Sequence, residues 1–132
     1  MLTLTLDIGG TKIAAGLVDP SGALVHAATR PTPKNQGAEQ VWMVIQQMIA
    51  DAMRAAGGPI RGVGIGSAGP IDLAAGTVNP INIPSWRGFP LRDRVAAAVP
   101  DVPVLLAGDG VCMALGEHWR GAGRGVAFVL GM

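Results

Sequence analysis

The segment LTLTLDIGGTKIAAGLVD, residues 2–19, constrains this chain more than any other. Leu2, Leu4 and Leu6 alternate with Thr3 and Thr5, the period-two pattern of a strand with one buried face. Asp7 stands at its end, and Gly9-Gly10 makes a turn. Residues 12–18 are small and apolar and give a second strand at once. Asp19-Pro20-Ser21-Gly22 is a strong turn signal, and residues 23–30 form a third strand. The expectation is an antiparallel meander of three strands. A glycine-rich turn after a strand often holds phosphate, but the familiar phosphate loops lead into a helix. This one leads into a strand.

Beyond the meander the period changes. Pro31 and Pro33 interrupt it, and a helix is expected from Ala38. Val41, Val44, Ile45, Met48, Ile49, Ala52 and Met53 then fall on one continuous helical face. Gly57-Gly58-Pro59 should stop that helix. IRGVGIG reads as a fourth strand, buried on both faces, entering SAGPID and a long irregular stretch, AAGTVNPINIPSWRGFP. Residues 91–99 read as a short helix ended by Pro100, and VPVLLA as a fifth strand. Asp109 to Trp119 is expected as a helix, GAGRG as a loop, and VAFVLGM as the start of a further strand. Strands alternating with helices after a meander imply a mixed sheet with parallel members and helices packed on it. There is no internal repeat and no domain linker.

Bulk properties narrow the class. With 132 residues the chain is one domain, or one half of a larger one, and is long enough to bury a core. Apolar residues make up 49% and charged ones 14%, which suits a globular chain rather than a disordered one. A net charge of +1 gives no general argument for nucleic acid or an anionic membrane as partner. The lone cysteine, Cys112, forbids an internal disulfide and is compatible with a reducing cytoplasm. No apolar run approaches the roughly 20 residues of a membrane span, and no signal-like segment precedes the first strand. The expected localisation is cytoplasmic.

GIGSAG at Gly64–Gly69 matches G-x-G-x-x-G and follows a strand, but Pro70-Ile71-Asp72 comes next where a dinucleotide site needs a helix. The match is rejected. Gly10-Thr11-Lys12 resembles the tail of a P-loop without its upstream glycine or its helix. Glycines without Cβ still let backbone N–H groups converge on phosphate oxygens. Asp7 beside them suits a hydrated Mg²⁺, which needs only one or two carboxylates. An ordinary β-turn carrying a surface Asp and Lys is the alternative. Asp109, between Gly108 and Gly110 after the fifth strand, has two readings as well: a base orienting an attacking hydroxyl, or a helix N-cap.

Other polar residues say less. Cys112 beside Met113 reads as a core thiol. His26 alternates within a strand, and His118 ends a helix, where the dipole favours a cation. Arg120 and Arg124 flank glycines, an arrangement that suits a phosphate, but a solvated loop is the preferred reading. Trp86 is either part of a sugar-stacking wall or a cover for the core edge. No Cys/His cluster has metal-ligand spacing.

Taken together, four segments carry a family resemblance. LDIGGTKIAAGLVD resembles the first phosphate motif of the ROK family of sugar kinases, within the actin-like ATPase, ribonuclease H-like fold. GVGIGSAGPID is similar to that family's sugar-loop strand, and GTVNPINIPSWRGFPL to the segment after it. LLAGDGVCMALGEHWRGAGRG resembles the strand–Asp–helix element that carries its catalytic base. The four occur in the family's order and cover the chain. The resemblance implies an α/β fold and ATP-dependent phosphoryl transfer to a sugar hydroxyl, on glucose or an N-acetylated hexosamine. Gly9, Gly10, Thr11 and Lys12 would line the phosphates, and Asp7 would face Mg²⁺ through water. Asp109 would be the base, and Gly69 and Asn82 would touch the sugar.

Two departures accompany the resemblance. Family members have Asn immediately before the catalytic Asp, where this chain has Gly108. The family also continues, beyond a strand like VAFVLGM, into a second phosphate turn, a zinc-binding cysteine motif and further sugar contacts. Residues 1–132 are therefore expected to be the N-terminal lobe of such a kinase, without its C-terminal lobe and inactive alone. The expected partners are a sugar substrate and either a second copy, as a dimer or other homo-oligomer, or the missing lobe. Neither nucleic acid nor membrane is expected. Rival readings are a sugar-responsive regulator of the same family lacking its DNA-binding domain, or a non-catalytic oligomerisation module. No helix-turn-helix or basic patch supports the regulator.

Overall fold

Alternation in the opening segment becomes strand β1 (Leu2–Ile8) in the computed structural model, which describes residues 1–108. Leu4, Leu6 and Ile8 are fully buried on one face, and Thr3, Thr5 and Asp7 point to the other. Strand β2 (Lys12–Val18) returns antiparallel, pairing Ile8 with Ile13 and Leu4 with Leu17. Strand β3 (Leu24–Pro31) pairs antiparallel with β2 and completes the meander. The turn between them is closed by Asp19, whose Oδ1 accepts from the Ser21 N–H, the Ser21 hydroxyl and the Ala23 N–H.

Helix α1 (Ala38–Ala56) buries Val41, Ile45, Met48, Ile49 and Ala52, the predicted stripe, with Val44 and Met53 at its half-buried margin. It stops at Gly57, which takes the left-handed φ of 68° and donates its N–H to the Met53 carbonyl. Trp42 is buried as well, outside that stripe, because its ring meets Phe89 at 6.3 Å.

Strand β4 (Ile60–Ser67) lies parallel to β1, and strand β7 (Val104–Gly108) lies parallel to β4. The five-stranded order is β3-β2-β1-β4-β7. This is the mixed sheet expected from the alternation of strands and helices. Burial on both faces of β4 holds for every position except Arg61, which is exposed, and Gly64, which is half-buried. Helix α2 (Leu91–Ala98) inserts Leu91 and Val95 into the same core as α1. The core therefore lies between the helices and the Leu4–Leu6–Ile8 face of the sheet.

One expectation needs correction. The stretch read as irregular pairs with the SAGPID segment in a second, two-stranded sheet, β5 (Ile71–Asp72) with β6 (Thr77–Val78), and Val78 also bridges to Phe89. Strands of two residues are shorter than any period-two pattern can reveal. The expected helix at 109–119 and strand at 126–132, with Asp109, Cys112, His118, Arg120 and Arg124, lie outside the described residues.

Leu6, fully buried on the central strand, is a clean probe of this core. Leu6→Ala should lower stability by about 2–5 kcal/mol in denaturant unfolding.

Candidate functional site

Because β1, β4 and β7 are parallel, their carboxyl ends meet at one edge of the sheet. Ile8 is in register with Ser67, and Ser67 with Gly108. Three chain exits therefore leave from this edge: the Gly9–Thr11 turn, the Ala68–Gly69–Pro70 segment, and the step after Gly108. In open α/β sheets this edge is where ligands bind.

The turn is tight. The Gly9 N–H donates to the Lys12 carbonyl at 3.0 Å, so that amide is committed to the hairpin. Thr32 clamps the turn from β3, its hydroxyl donating to the Gly9 carbonyl at 2.7 Å and its N–H to the Thr11 carbonyl at 2.9 Å. The Gly10 and Thr11 N–H groups have no hydrogen-bond acceptor among the described residues. Of the positions expected to line phosphates, Gly9 has its amide committed, whereas those of Gly10 and Thr11 are available.

Gly10 is a glycine for reasons of space. Its φ is not left-handed, but a Cβ there would sit 2.2 Å from Cβ of Asn82. Asn82 thus occupies the volume that a side chain on the turn would need. The expected phosphate turn and the expected sugar contact are in direct contact, across 72 residues of sequence (82 minus 10).

The remaining expected residues distribute as follows. Asp7 is half-buried near the end of β1, beside Ala14 and Gly66 on the sheet face away from the helices. Its register partners Ala14 and Gly66 carry little or no side chain, and a hydrated Mg²⁺ needs only one or two carboxylates. No group of three His, Cys, Asp or Glu able to hold a metal occurs among the described residues. Lys12 is exposed at the start of β2. Gly69 is exposed after β4, joined to Pro70 by a cis peptide bond. No helix follows Gly69, in keeping with rejection of the dinucleotide reading. Asp109 follows Gly108 in sequence and lies outside the described residues.

Asn82 also lines a cavity of about 370 Å³ with Pro33, Lys34, Gln36, Ile83 and Ser85 among its walls. Lys34 and Gln36 come from the segment between β3 and α1, so the cavity opens beside the glycine turn. Trp86 is fully buried, its ring stacked on Phe89 at 4.1 Å and 2°. Of its two sequence readings, the core-edge one holds.

Several residues that hold the site were not singled out by sequence reasoning. Asn79 donates its N–H to the Pro70 carbonyl at 2.9 Å and accepts the Gly88 N–H at 2.7 Å. It therefore ties the Gly69–Pro70 segment to the Asn82 loop, and the Asn-Pro pair was its available signal. Arg94 of α2 donates to both oxygens of Glu39 in the first turn of α1, at 2.8 and 2.6 Å. Its guanidinium carbon lies 5.1 Å from the Phe89 ring centre. The Arg94 hydrogen bonds hold the Glu39 carboxyl below its ordinary value, and Glu39 raises Arg94 in turn.

The sequence pattern of the ROK family matches residues 3–132. The chain belongs to the ROK family. It is 40% identical over 126 residues to the glucokinase of Streptomyces coelicolor, covering 94% of this chain and 38% of that protein. It is 35% identical over 127 residues to an N-acetyl-D-glucosamine kinase of Escherichia coli, covering 96% of this chain and 41% of that one. Among solved structures, the ROK family glucokinase of Streptomyces griseus in complex with glucose and AMPPNP superposes with a TM-score of 0.76 at 40% identity. That match covers 95% of this chain and 38% of the other. The chain thus spans about two fifths of the length of these relatives. The mixed sheet is that of the actin-like ATPase fold. No helix among the described residues is long and apolar enough to cross a membrane.

Two outcomes follow from this geometry. Gly10→Ala should force the turn and the Asn82 loop apart and cost about 1–3 kcal/mol, read as a lower thermal midpoint. The Glu39–Arg94 pair stabilises above the ordinary glutamate pKa of about 4.3 and is lost as pH falls through the lowered folded value. The difference in thermal midpoint between wild type and Glu39→Gln should therefore shrink towards zero in acid.

Proposed function

We propose that this chain is the N-terminal lobe of an ATP-dependent sugar kinase acting on a hexose, glucose or an N-acetylated hexosamine. The observation that carries the reading is the seat of Asn82 on Gly10. It brings the position expected to contact sugar against the turn expected to hold phosphate, at the carboxyl ends of the parallel strands. The bound glucose and AMPPNP of the Streptomyces griseus relative support the same pairing of ligands.

In this reading the Gly10 and Thr11 amides donate to oxygens of the ATP phosphates, and Lys12 adds positive charge at the rim. Asp7 would hold Mg²⁺ through water; the ion, when bound, neutralises phosphate charge. Asn82 and the Gly69 backbone orient the sugar. The sugar hydroxyl oxygen bonds to the γ-phosphorus as the bond from that phosphorus to the β–γ bridging oxygen breaks. ADP leaves, and the hydroxyl proton passes to the carboxylate of Asp109. Catalysis rests on positioning and charge rather than on covalent chemistry. Water must be kept from the γ-phosphate, which calls for a second lobe closing over this edge. Partners are then the sugar and that lobe, or a second copy of the chain, in a cytoplasmic setting.

The test uses the full-length protein. With Mg-ATP it should phosphorylate a hexose, and Asp109→Asn should lower kcat by about 10²–10⁴-fold while sugar binding persists. Hexose binding without turnover by the wild-type protein would favour a sugar-responsive regulator instead. Binding of neither ATP nor hexose would overturn the reading.

A further inference from the structure

Asn82 sits on an exposed loop, and no hydrogen bond of its side chain anchors it within the described residues. Its place against Gly10 must come from what holds the loop's base. Two turns lead from it to Trp86: Ile83 N–H to the Pro80 carbonyl at 3.2 Å, and Trp86 N–H to the Ile83 carbonyl at 2.9 Å. Ile83 is itself buried. The Trp86 indole donates its Nε1–H to the Ala38 carbonyl at 3.2 Å, at the first residue of α1. Its ring stacks on Phe89, and Phe89 exchanges backbone hydrogen bonds with Val78 of β6 at 3.0 and 3.1 Å. Arg94 covers Phe89 and grips Glu39, one residue after Ala38. The loop is thus fastened to α1, α2 and β6 through one buried aromatic stack, and only its tip reaches the turn.

We propose that Trp86 is a positioning residue for the phosphoryl acceptor: with Phe89 and Arg94 it fixes where Asn82 stands relative to the glycine turn. The inference rests on the kinase reading above and extends it to residues that touch neither ligand. A stacked pair resists sliding in the ring plane less than it resists separation. The Nε1–H bond to Ala38 supplies the missing in-plane restraint, and the Arg94–Glu39 pair locks the outer ring. A base held on three elements leaves Asn82 little freedom except a small hinge at its tip. Displacement of a substrate-orienting group by about 1 Å costs about 10²-fold in rate. The phosphate side of the turn is held separately, by Thr32 and by the hairpin bond from Gly9 to Lys12. Loss of the stack should therefore fall on the sugar and spare the nucleotide.

Trp86→Leu and Trp86→Phe in the full-length protein separate this role from simple packing. Both are assayed well below their melting temperatures, with sugar binding also measured by calorimetry in the absence of nucleotide. Trp86→Leu should weaken sugar binding and lower kcat/KM for the sugar by about tenfold or more, leaving KM for ATP within about twofold. Trp86→Phe keeps a ring on Phe89 but loses the indole N–H bond to Ala38, and should recover only part of the loss. Arg94→Met, a surface change, should give a smaller effect of the same kind and serves if Trp86→Leu does not fold. Sugar affinity unchanged in a folded variant, or sugar and ATP weakened together, would overturn the proposal. Wild-type protein that binds no hexose would overturn the kinase reading itself, whereas wild-type binding matched by the variants would overturn only the positioning role.

Discussion

The pairing of β1 decides most of this structure. Its neighbour on one side, β2, is antiparallel, and its neighbour on the other, β4, is parallel. A hairpin turn leaves β1 at its carboxyl end, and the carboxyl ends of the parallel strands lie at that same edge. The turn is therefore delivered to the ligand edge without any helix. P-loop and dinucleotide folds bring backbone amides to phosphate at a helix N-terminus, with the helix dipole behind them. In the proposed reading the amides come from a strand-to-strand turn. The rigidity of that turn has to be supplied by neighbours, and Thr32 supplies it with two hydrogen bonds.

Periodicity made much of the fold legible. The three strands of the meander, the helix face from Val41 to Met53, the short helix from Leu91 and the strand into Gly108 each repeat a pattern long enough to read. The loop from Asn79 to Pro90 does not repeat anything. Its order comes from single long-range bonds, such as Trp86 to Ala38 and Asn79 to Pro70, which leave no trace in local spacing. Trp86 shows the limit well: the residue type announced a large buried or stacking ring, and only its Phe89 partner settled which. Gly10 is subtler. Its motif pointed to phosphate, while its immediate steric requirement is the approach of Asn82. The two needs are compatible, because a turn without a side chain leaves both its amides and its outer surface open.

The charged groups of the site region divide by role. Arg30 bonds Asp51 on α1 at 3.2 Å, and Arg54 bonds the same carboxylate from within the helix. These pairs are largely exposed and contribute little individually. The Arg94–Glu39 pair is also exposed, but its geometry is bidentate, and the guanidinium lies over an aromatic ring that anchors the Asn79–Pro90 loop. Its value lies in direction more than in energy, since a planar fork fixes the ring beneath it. Lys12 and Lys34 have no carboxylate partner among the described residues. They place two positive charges near the glycine turn, which favour the approach of a phosphate-bearing ligand.

Gly108 gives the position of Asn82 added weight. The resemblance read from the sequence implies a side-chain amide at the end of this strand, one residue before the proposed catalytic carboxylate, and this chain has Gly108 there. In the proposed kinase reading, a sugar at the edge formed by Ile8, Ser67 and Gly108 would meet the backbone near Gly69 and the side chain of Asn82, but no side-chain amide from β7. A backbone contact is fixed by the sheet, whereas Asn82 is placed by a loop. When one of two side-chain amides is missing, the geometry of the other governs more of the orientation of the reacting hydroxyl. A loop that a polypeptide would ordinarily leave mobile is instead built on a buried tryptophan, a stacked phenylalanine and a bidentate ion pair. In the proposed kinase reading, Gly108 at the end of β7 and the firm base of the Asn79–Pro90 loop would answer one requirement, the orientation of the sugar.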